Sequence, residues 1–280
     1  MEVYFSAMPK VIAQPKTRTK MSTRRHKKGD EIPPEHLQEL EALIEQDKQF
    51  ELLEEDGEPL ESEWHVVQIH LLNELVRQHL GDPRHYFCGG DMFIYYSYEQ
   101  AEAVKARQPA YKGPDFFVVR GVDGRALRRY WAVWREGGRY PDLVVELVSP
   151  STAKKDKEEN LHFYAEVMRV PEYFWYDPDR DELRGFRLAN MHYEAIEANE
   201  QGWLWSKMLE AYIGLWEGGY QGRVGRWVRL YRADGSLVPT IEEVAAQERQ
   251  RAEQERQRAE QAEAELQRLR QILRERGIEL

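Results

Sequence analysis

The stretch P-D-L-V-V-E-L-V-S-P, Pro141–Pro150, decides how this chain is read. Leu143, Val144, Val145, Leu147 and Val148 form a short apolar, β-branched-rich run closed by Ser149, Pro150 and Ser151. That pattern predicts a buried strand that stops abruptly. One carboxylate, Glu146, lies inside the run. A lone ionised glutamate in a buried strand costs roughly several kcal/mol unless a cation or hydrogen bonds compensate it, so its presence needs a physical reason. A metal ion is the direct one.

A second carboxylate sits upstream in G-P-D-F-F-V-V, Gly113–Val119, where Gly and Pro lead into a strand whose first residue is Asp115. Two acids on neighbouring strands can share one hard divalent cation. Magnesium takes a few carboxylate ligands, keeps several waters, and can supply a water for attack on a phosphodiester. Side chains alternate along a strand, so Asp142, Val144 and Glu146 would point to one face, which makes Asp142 a further candidate ligand or a partner behind one. It could equally end the Tyr140-Pro141 turn. Read from the residues alone, a turn aspartate and a hydrogen-bonded core glutamate account for Asp115 and Glu146 as well as a metal does.

The 280 residues, 41% of them hydrophobic, suffice for one large or two modest domains with a substantial core. The single cysteine, Cys88, excludes an internal disulfide and a cysteine-based zinc site, which fits a reducing cytoplasm. No apolar run reaches membrane-spanning length and no secretory leader is evident, so a soluble cytoplasmic protein is expected. The net charge of −10 argues mildly against a generic nucleic-acid coat, but it is unevenly spread. Residues 1–30 carry eight Lys/Arg against two acids, and residues 31–80 carry two against fourteen.

Residues 1–30 therefore read as a disordered basic arm. Leu37, Leu40, Leu43 and Ile44 predict a helix over Pro34–Gln49, and the acidic Glu51–Glu63 segment with its Asp56-Gly57 turn comes next. Val67, Leu71, Leu72, Leu75 and Val76 predict an amphipathic helix over Trp64–Leu80. Glu74 on its polar face reads as solvated and His65 as structural. Tyr86–Ser97 is a β-rich run broken by Gly89-Gly90, Asp123-Gly124 is a hairpin-type turn, and Tyr130–Trp134 is a further strand.

After the central strand, Asp156 and Glu159 match a D-x-x-E capping box, predicting a helix from Lys157 to about Met168 with Leu161, Tyr164, Ala165 and Met168 facing inward. Lys157 begins that face, its ammonium aimed toward the strand end holding Glu146. Pro171 closes the helix before the strand Glu172–Tyr176, and a strand, crossing helix and strand in this order means parallel neighbours with a right-handed crossover. The core is thus α/β. Residues 181–238, punctuated by glycines, predict an antiparallel β extension whose tryptophans are core rather than a base-stacking platform. Over Ile241–Leu280, Ala245, Ala252, Ala259, Leu266 and Leu273 repeat every seven residues. This is a long charged helix that either pairs with a second copy or stands as a single solvated helix.

The pieces G-P-D-F-F-V-V, G-G-R-Y-P-D-L-V-V-E-L-V-S-P-S-T and V-P-E-Y-F-W-Y-D-P resemble the Uma-two family of restriction-endonuclease-type proteins, a bacterial group of the PD-(D/E)XK nuclease superfamily. The resemblance is strongest over Gly113–Pro178 and extends more weakly from about Phe50 to Pro239. It implies a restriction-endonuclease-like mixed sheet flanked by helices, built as helix, three strands, helix and strand. Residues 31–240 would be that domain, between the arm 1–30 and the helical tail 241–280. It also implies a magnesium-dependent endonuclease acting on DNA, with manganese as a substitute metal. Asp115 would be the first metal ligand and Glu146 the second. The superfamily lysine two residues beyond the glutamate is Val148 here, and the helix position to which this family moves it is Asn160. Lys157, one turn earlier, could substitute; Lys154 and Lys155 are poorer placed. The alternative is a catalytically degenerate binding or assembly protein, a homodimer held through its tail.

Overall fold

The computed structural model describes residues 41–45, 47, 62–106, 108, 113–150 and 153–275. Two compact units divide the chain, residues 1–51 and 52–280. In the first, residues 41–45 are helical, inside the helix expected from the Leu/Ile spacing. The basic arm 1–30 and the Asp56-Gly57 turn lie outside the described residues.

The second unit opens with helix α1, Glu63–Leu80. Ser62 caps it by accepting the backbone N–H of His65, Glu63 and Arg77 complement the dipole at its two ends, and Gly81 at φ 71° stops it. Its buried stripe includes Val67, Leu71, Leu72, Leu75 and Val76. The next strands are β1 (Tyr86–Gly89), β2 (Ile94–Tyr95), β3 (Phe116–Arg120), β4 (Trp131–Ala132) and β5 (Leu143–Leu147), with helix α2 (Tyr98–Lys105) after β2. Helix α3 occupies residues 153–168. After it come β6 (Glu172–Asp177), β7 (Glu182–Ala189), β8 (His192–Ala195), β9 (Leu204–Ser206), β10 (Ala211–Tyr220) and β11 (Arg223–Tyr231), and then helix α4, Ile241–Glu275.

Six strands form the main sheet in the order β1-β3-β5-β6-β7-β8. The β5/β6 pair is parallel and the other neighbours are antiparallel. The α3 crossover between β5 and β6 is what the strand-helix-strand order predicts. The succession α1, β1, β3, β5, α3, β6 likewise matches the helix, three strands, helix and strand implied by the family likeness. Every residue of β5 is buried because both of its faces are covered. Leu143, Val145 and Leu147 join α1 and the β9–β11 sheet in one apolar cluster, whereas Val144 and Val148 join Tyr164, Met168 and Trp131 in another. Glu146 shares the parity of the second set.

Several local expectations are corrected. The Tyr86–Ser97 run divides into β1 and β2, which belong to different sheets. Asp123-Gly124 makes no hairpin, because both edges of β3 are already taken by β1 and β5. The short β4 pairs instead with β2, in parallel. The antiparallel β extension expected over residues 181–238 does form, in two parts: β7 and β8 lengthen the main sheet, and β9–β11 make a separate antiparallel sheet. Glycines there seat rings as well as turn the chain: a Cβ on Gly214 would lie 2.3 Å from the Trp203 ring and one on Gly218 2.0 Å from Trp216. Glu74 is not merely solvated, since its carboxylate accepts the Tyr220 hydroxyl at 2.8 Å and the Ile241 N–H at 2.5 Å.

Glu172, fully buried at the start of β6, ties the sheets together. Its carboxylate accepts bonds from Arg187, the Ser206 hydroxyl and the backbone N–H groups of Lys207 and Met208. At the far end, Thr240 and Glu243 form a reciprocal capping box that starts α4, and buried Arg229 pairs with Glu243 at 2.7 Å. From residue 246 to 271 the side chains of α4 are exposed. No helix among the described residues is long and apolar enough to cross a membrane.

Removing one partner of a buried, multiply bonded charge pair leaves the other uncompensated. Glu172→Ala should therefore lower the unfolding free energy in urea by about 3–5 kcal/mol; a loss under about 1 kcal/mol, the range of exposed ion pairs, would contradict this account.

Candidate active site

The site begins with strand register. Phe116 faces Val145 and Phe117 faces Val144 across the antiparallel β3/β5 pair, so Asp115 stands opposite Glu146 where the two strands end. The two acids are laced to each other's strands. The Asp115 N–H donates to Glu146 Oε2 at 3.0 Å, and the Leu147 N–H donates to Asp115 Oδ2 at 2.6 Å. Gly90, beyond the end of β1, lets a third segment close on this point: a Cβ there would lie 2.1 Å from the Asp115 carbonyl oxygen.

Helix α3 supplies the cover. It runs as a π turn Lys155–Glu159, an α turn Asn160–Phe163 and a second π turn Tyr164–Met168, ending at Arg169 with φ 52°. Four positions along an α-helix slightly overshoot one turn, and four positions along the wider π-helix fall slightly short. Alternating the two keeps Asp156, Asn160, Tyr164 and Met168 in one straight buried stripe. The expected capping box at Asp156 does not form, because Asp156 lies inside the helix; the residue carries helical, buried geometry instead. The inward face thus starts with Asp156 and Asn160, displacing Lys157 and half-burying Leu161.

That stripe delivers polar groups to Glu146. Asn160 Nδ2 donates to Glu146 Oε1 at 3.1 Å and to Asp156 Oδ1 at 3.0 Å, and the Tyr164 hydroxyl donates to the same Glu146 oxygen at 2.7 Å. The Tyr173 hydroxyl holds the Asp156 carbonyl at 2.6 Å. On the other face of the sheet His65 Nε2 donates to the Leu147 carbonyl at 2.9 Å, and its Nδ1 accepts from Ser62 Oγ at 2.7 Å. His65 is therefore structural, as expected, and braces the strand next to Glu146. Asp156 and the hydroxyl role of Tyr164 escaped the sequence reading. The D-x-x-x-N-x-x-x-Y spacing, one residue every four, was the available signal.

Burial raises the Glu146 carboxyl well above its ordinary range, and the neighbouring charges of Asp115 and Asp156 push it the same way, against the bonds from Tyr164 and the Asp115 backbone. The carboxyl oxygens of Asp115, Glu146 and Asp156 that meet here are hard donors, a set that would suit magnesium or manganese rather than a soft metal. Among the described residues no group of three or more His, Cys, Asp or Glu is gathered as a ligand set. Asp115 and Glu146 are the pair that the fold brings together.

The remaining candidates fall elsewhere. Lys157 Nζ donates to Asp177 Oδ2 at 2.5 Å, lies 3.9 Å from Glu182, and sits 4.6 Å from the Trp175 ring centre. Trp175 is the β6 neighbour of Glu146, so the ammonium stands one strand away from it. Burial alone would raise Asp177, but Lys157 and the Arg180 and Asp179 N–H groups outweigh that and hold its carboxyl below the ordinary value. Asp142 precedes β5, about 13 Å along the strand from Glu146. There its Oδ2 accepts the Arg120 N–H at 2.6 Å, and Arg139 lies 3.7 Å away. It caps the opposite end of the β3/β5 pair and is not brought to the acids.

A carboxyl whose folded pKa is raised holds its proton more tightly folded than unfolded, so it contributes stability at low pH that is lost as pH rises from about 4.5 through the raised value. With EDTA present, the unfolding free energy of the wild type relative to Glu146→Gln should fall over that interval, whatever the constant offset between the two proteins. A difference that stays flat, or that grows with pH in denaturant titrations, would refute the assignment.

The family model Uma2, described as "Putative restriction endonuclease", matches residues 34–217. No curated protein matches the chain. Among solved structures, a protein of Anabaena variabilis described as "a putative nuclease belonging to DUF820" is similar at 11% identity, with a TM-score of 0.39, over 59% of this chain and 89% of its own. The matched span includes Asp115, Glu146 and the whole of α3, and the chain belongs to the Uma2 family.

Proposed function

We propose that the chain is a divalent-metal-dependent endonuclease that hydrolyses phosphodiester bonds in DNA, with Asp115 and Glu146 holding the ion. The observation that supports this most directly is the reciprocal lacing of the two carboxyl groups at the sheet's rim, with the Asp156 carboxyl close to Glu146. Magnesium, or manganese, would polarise the phosphoryl group and lower the pKa of water at the site. Asn160 and Tyr164 hold Glu146 Oε1 and the Asp115 N–H holds Oε2, so that the carboxylate does not reorganise when a substrate arrives. Leu147, through its N–H, does the same for Asp115. Lys157, now on Asp177, is the cation available one strand away to meet charge on the phosphate.

A second reading, a degenerate nuclease-like protein that assembles through α4, draws on two observations. An uncharged amide, Asn160, occupies the place of the family's lysine beside Glu146, and the side chains of residues 246–271 are exposed on a helix of 35 residues. Here the seven-residue repeat Ala245, Ala252, Ala259, Leu266 and Leu273 would pack against a second copy to form a homodimer, anchored by its Leu266–Leu273 part because alanine buries little.

Purified protein with supercoiled plasmid and magnesium or manganese should nick or linearise it. Asp115→Asn and Glu146→Gln should each cut the rate by about a hundredfold or more, and Asn160→Lys should raise it. Absence of cleavage across metals and salts, or equal cleavage by Glu146→Gln, removes the enzyme reading. Light scattering tests the assembly reading independently: truncation after Thr240 should turn a tail-mediated dimer into a monomer, and an unchanged number of subunits excludes α4 as the joint.

A further inference from the structure

The bonds around the Glu146 carboxyl limit how it can hold an ion. Its Oε1 accepts two, from Asn160 Nδ2 and the Tyr164 hydroxyl, and its Oε2 accepts one, from the Asp115 N–H. A carboxylate oxygen has two lone-pair positions, so Oε1 is filled and Oε2 keeps one. A cation at this carboxylate therefore meets Oε2, and Glu146 serves as a ligand through a single oxygen. Asp115 is the other acid. Among the described residues no third His, Cys, Asp or Glu joins the pair as a ligand group, so any further side-chain ligand is an uncharged oxygen.

Asn160 carries one. Its amide nitrogen donates to two carboxyl groups, at Glu146 Oε1 and at Asp156 Oδ1. Two acids on one nitrogen fix which way the amide faces, because the reversed amide would set its own oxygen against theirs. The oxygen that results, Asn160 Oδ1, accepts no hydrogen bond among the described residues, although the side chain is only 4% exposed. It is not sealed from solvent either. In a planar amide the oxygen lies about 4–5 Å from an acceptor that its N–H meets. Two oxygens on one magnesium ion stand about 3–4 Å apart, so a shift of about 1 Å brings Oδ1 into a shared coordination shell. A lysine at this position would have three donors and no acceptor. The amide thus brings to the site an oxygen that the family's cation does not.

We propose that Asn160 Oδ1 is a third, uncharged ligand to the divalent ion held by Asp115 and Glu146. The proposal rests on the metal-dependent reading of the site and is tested without catalysis. Europium(III), a hard ion that takes oxygen ligands, reports how many waters it carries through its luminescence lifetimes in water and in deuterium oxide. Bound to the full chain, it should carry about one more water in Asn160→Ala than in the wild type, and likewise in Asn160→Lys. The lysine variant restores the residue that the family places there, which guards against an alanine variant that fails to fold. Tyr164→Phe removes a bond to Glu146 but no ligand, and should not raise the count. Calorimetry with manganese should show binding weakened by about tenfold in Asn160→Ala. Asn160→Lys, although faster at saturating metal, should need more metal to reach its rate. A wild-type water count in both Asn160 variants, or an equal rise in Tyr164→Phe, would overturn the third ligand and leave Asp115 and Glu146 as the metal pair. No europium or manganese binding by the wild type would overturn both readings.

Discussion

A carboxylate inside a strand whose two faces are both covered is the constraint around which the rest of the unit is arranged. Glu146 is 4% exposed, and water cannot solvate it. Its neighbours must do so: an N–H from β3, an amide and a phenol from α3. None of these is local in sequence. Register between β3 and β5, the crossover to β6 and the rotational setting of α3 must all be right before the group is satisfied. The site and the core are consequently one object, and the apolar packing that fixes the sheet also aims the polar groups.

The two sides of the sheet divide the labour. On the α1 side, apolar residues of β3, β5 and β6 meet α1 and the second sheet, and His65 braces the strand from behind. On the α3 side the packing turns polar as it nears the strand ends, where Asp156, Asn160 and Tyr164 gather. Strand ends are where backbone groups run out of ladder partners, so carboxylates placed there can accept N–H groups that would otherwise be unpaired. Asp115 and Glu146 do this for each other's strands.

Features set by short-range pattern were legible in the sequence. The apolar parity of β5, the α1 stripe, the β5-α3-β6 crossover and the two acids at facing strand ends are all periodic or positional. The features that stayed hidden depend on long-range competition. Asp123-Gly124 has the chemistry of a hairpin turn, yet whether β3 had a free edge depended on β1 and β5. Asp156 with Glu159 three residues later has the chemistry of a cap, yet the helix had already begun at residue 153. Lys157 pointed toward the right end of the sheet, but Asp177 and Trp175 compete for its ammonium. The Asn160 amide could be located by likeness to a family, whereas its bridging of Glu146 and Asp156 required coordinates.

The two wide turns of α3 have a consequence for how this site can vary among sequences. A π turn is an α turn with one residue to spare, so the helix accommodates its extra length by bulging rather than by shifting its ends. Deleting a single residue between Asp156 and Asn160 would tighten that turn to an α turn with both side chains still facing the sheet, whereas the same deletion between Asn160 and Tyr164 would swing everything before it by roughly 100° about the axis, carrying Asp156 and Asn160 from the sheet with no change in the identity of any remaining side chain. In this fold, spelling is conveyed by counting as much as by chemistry.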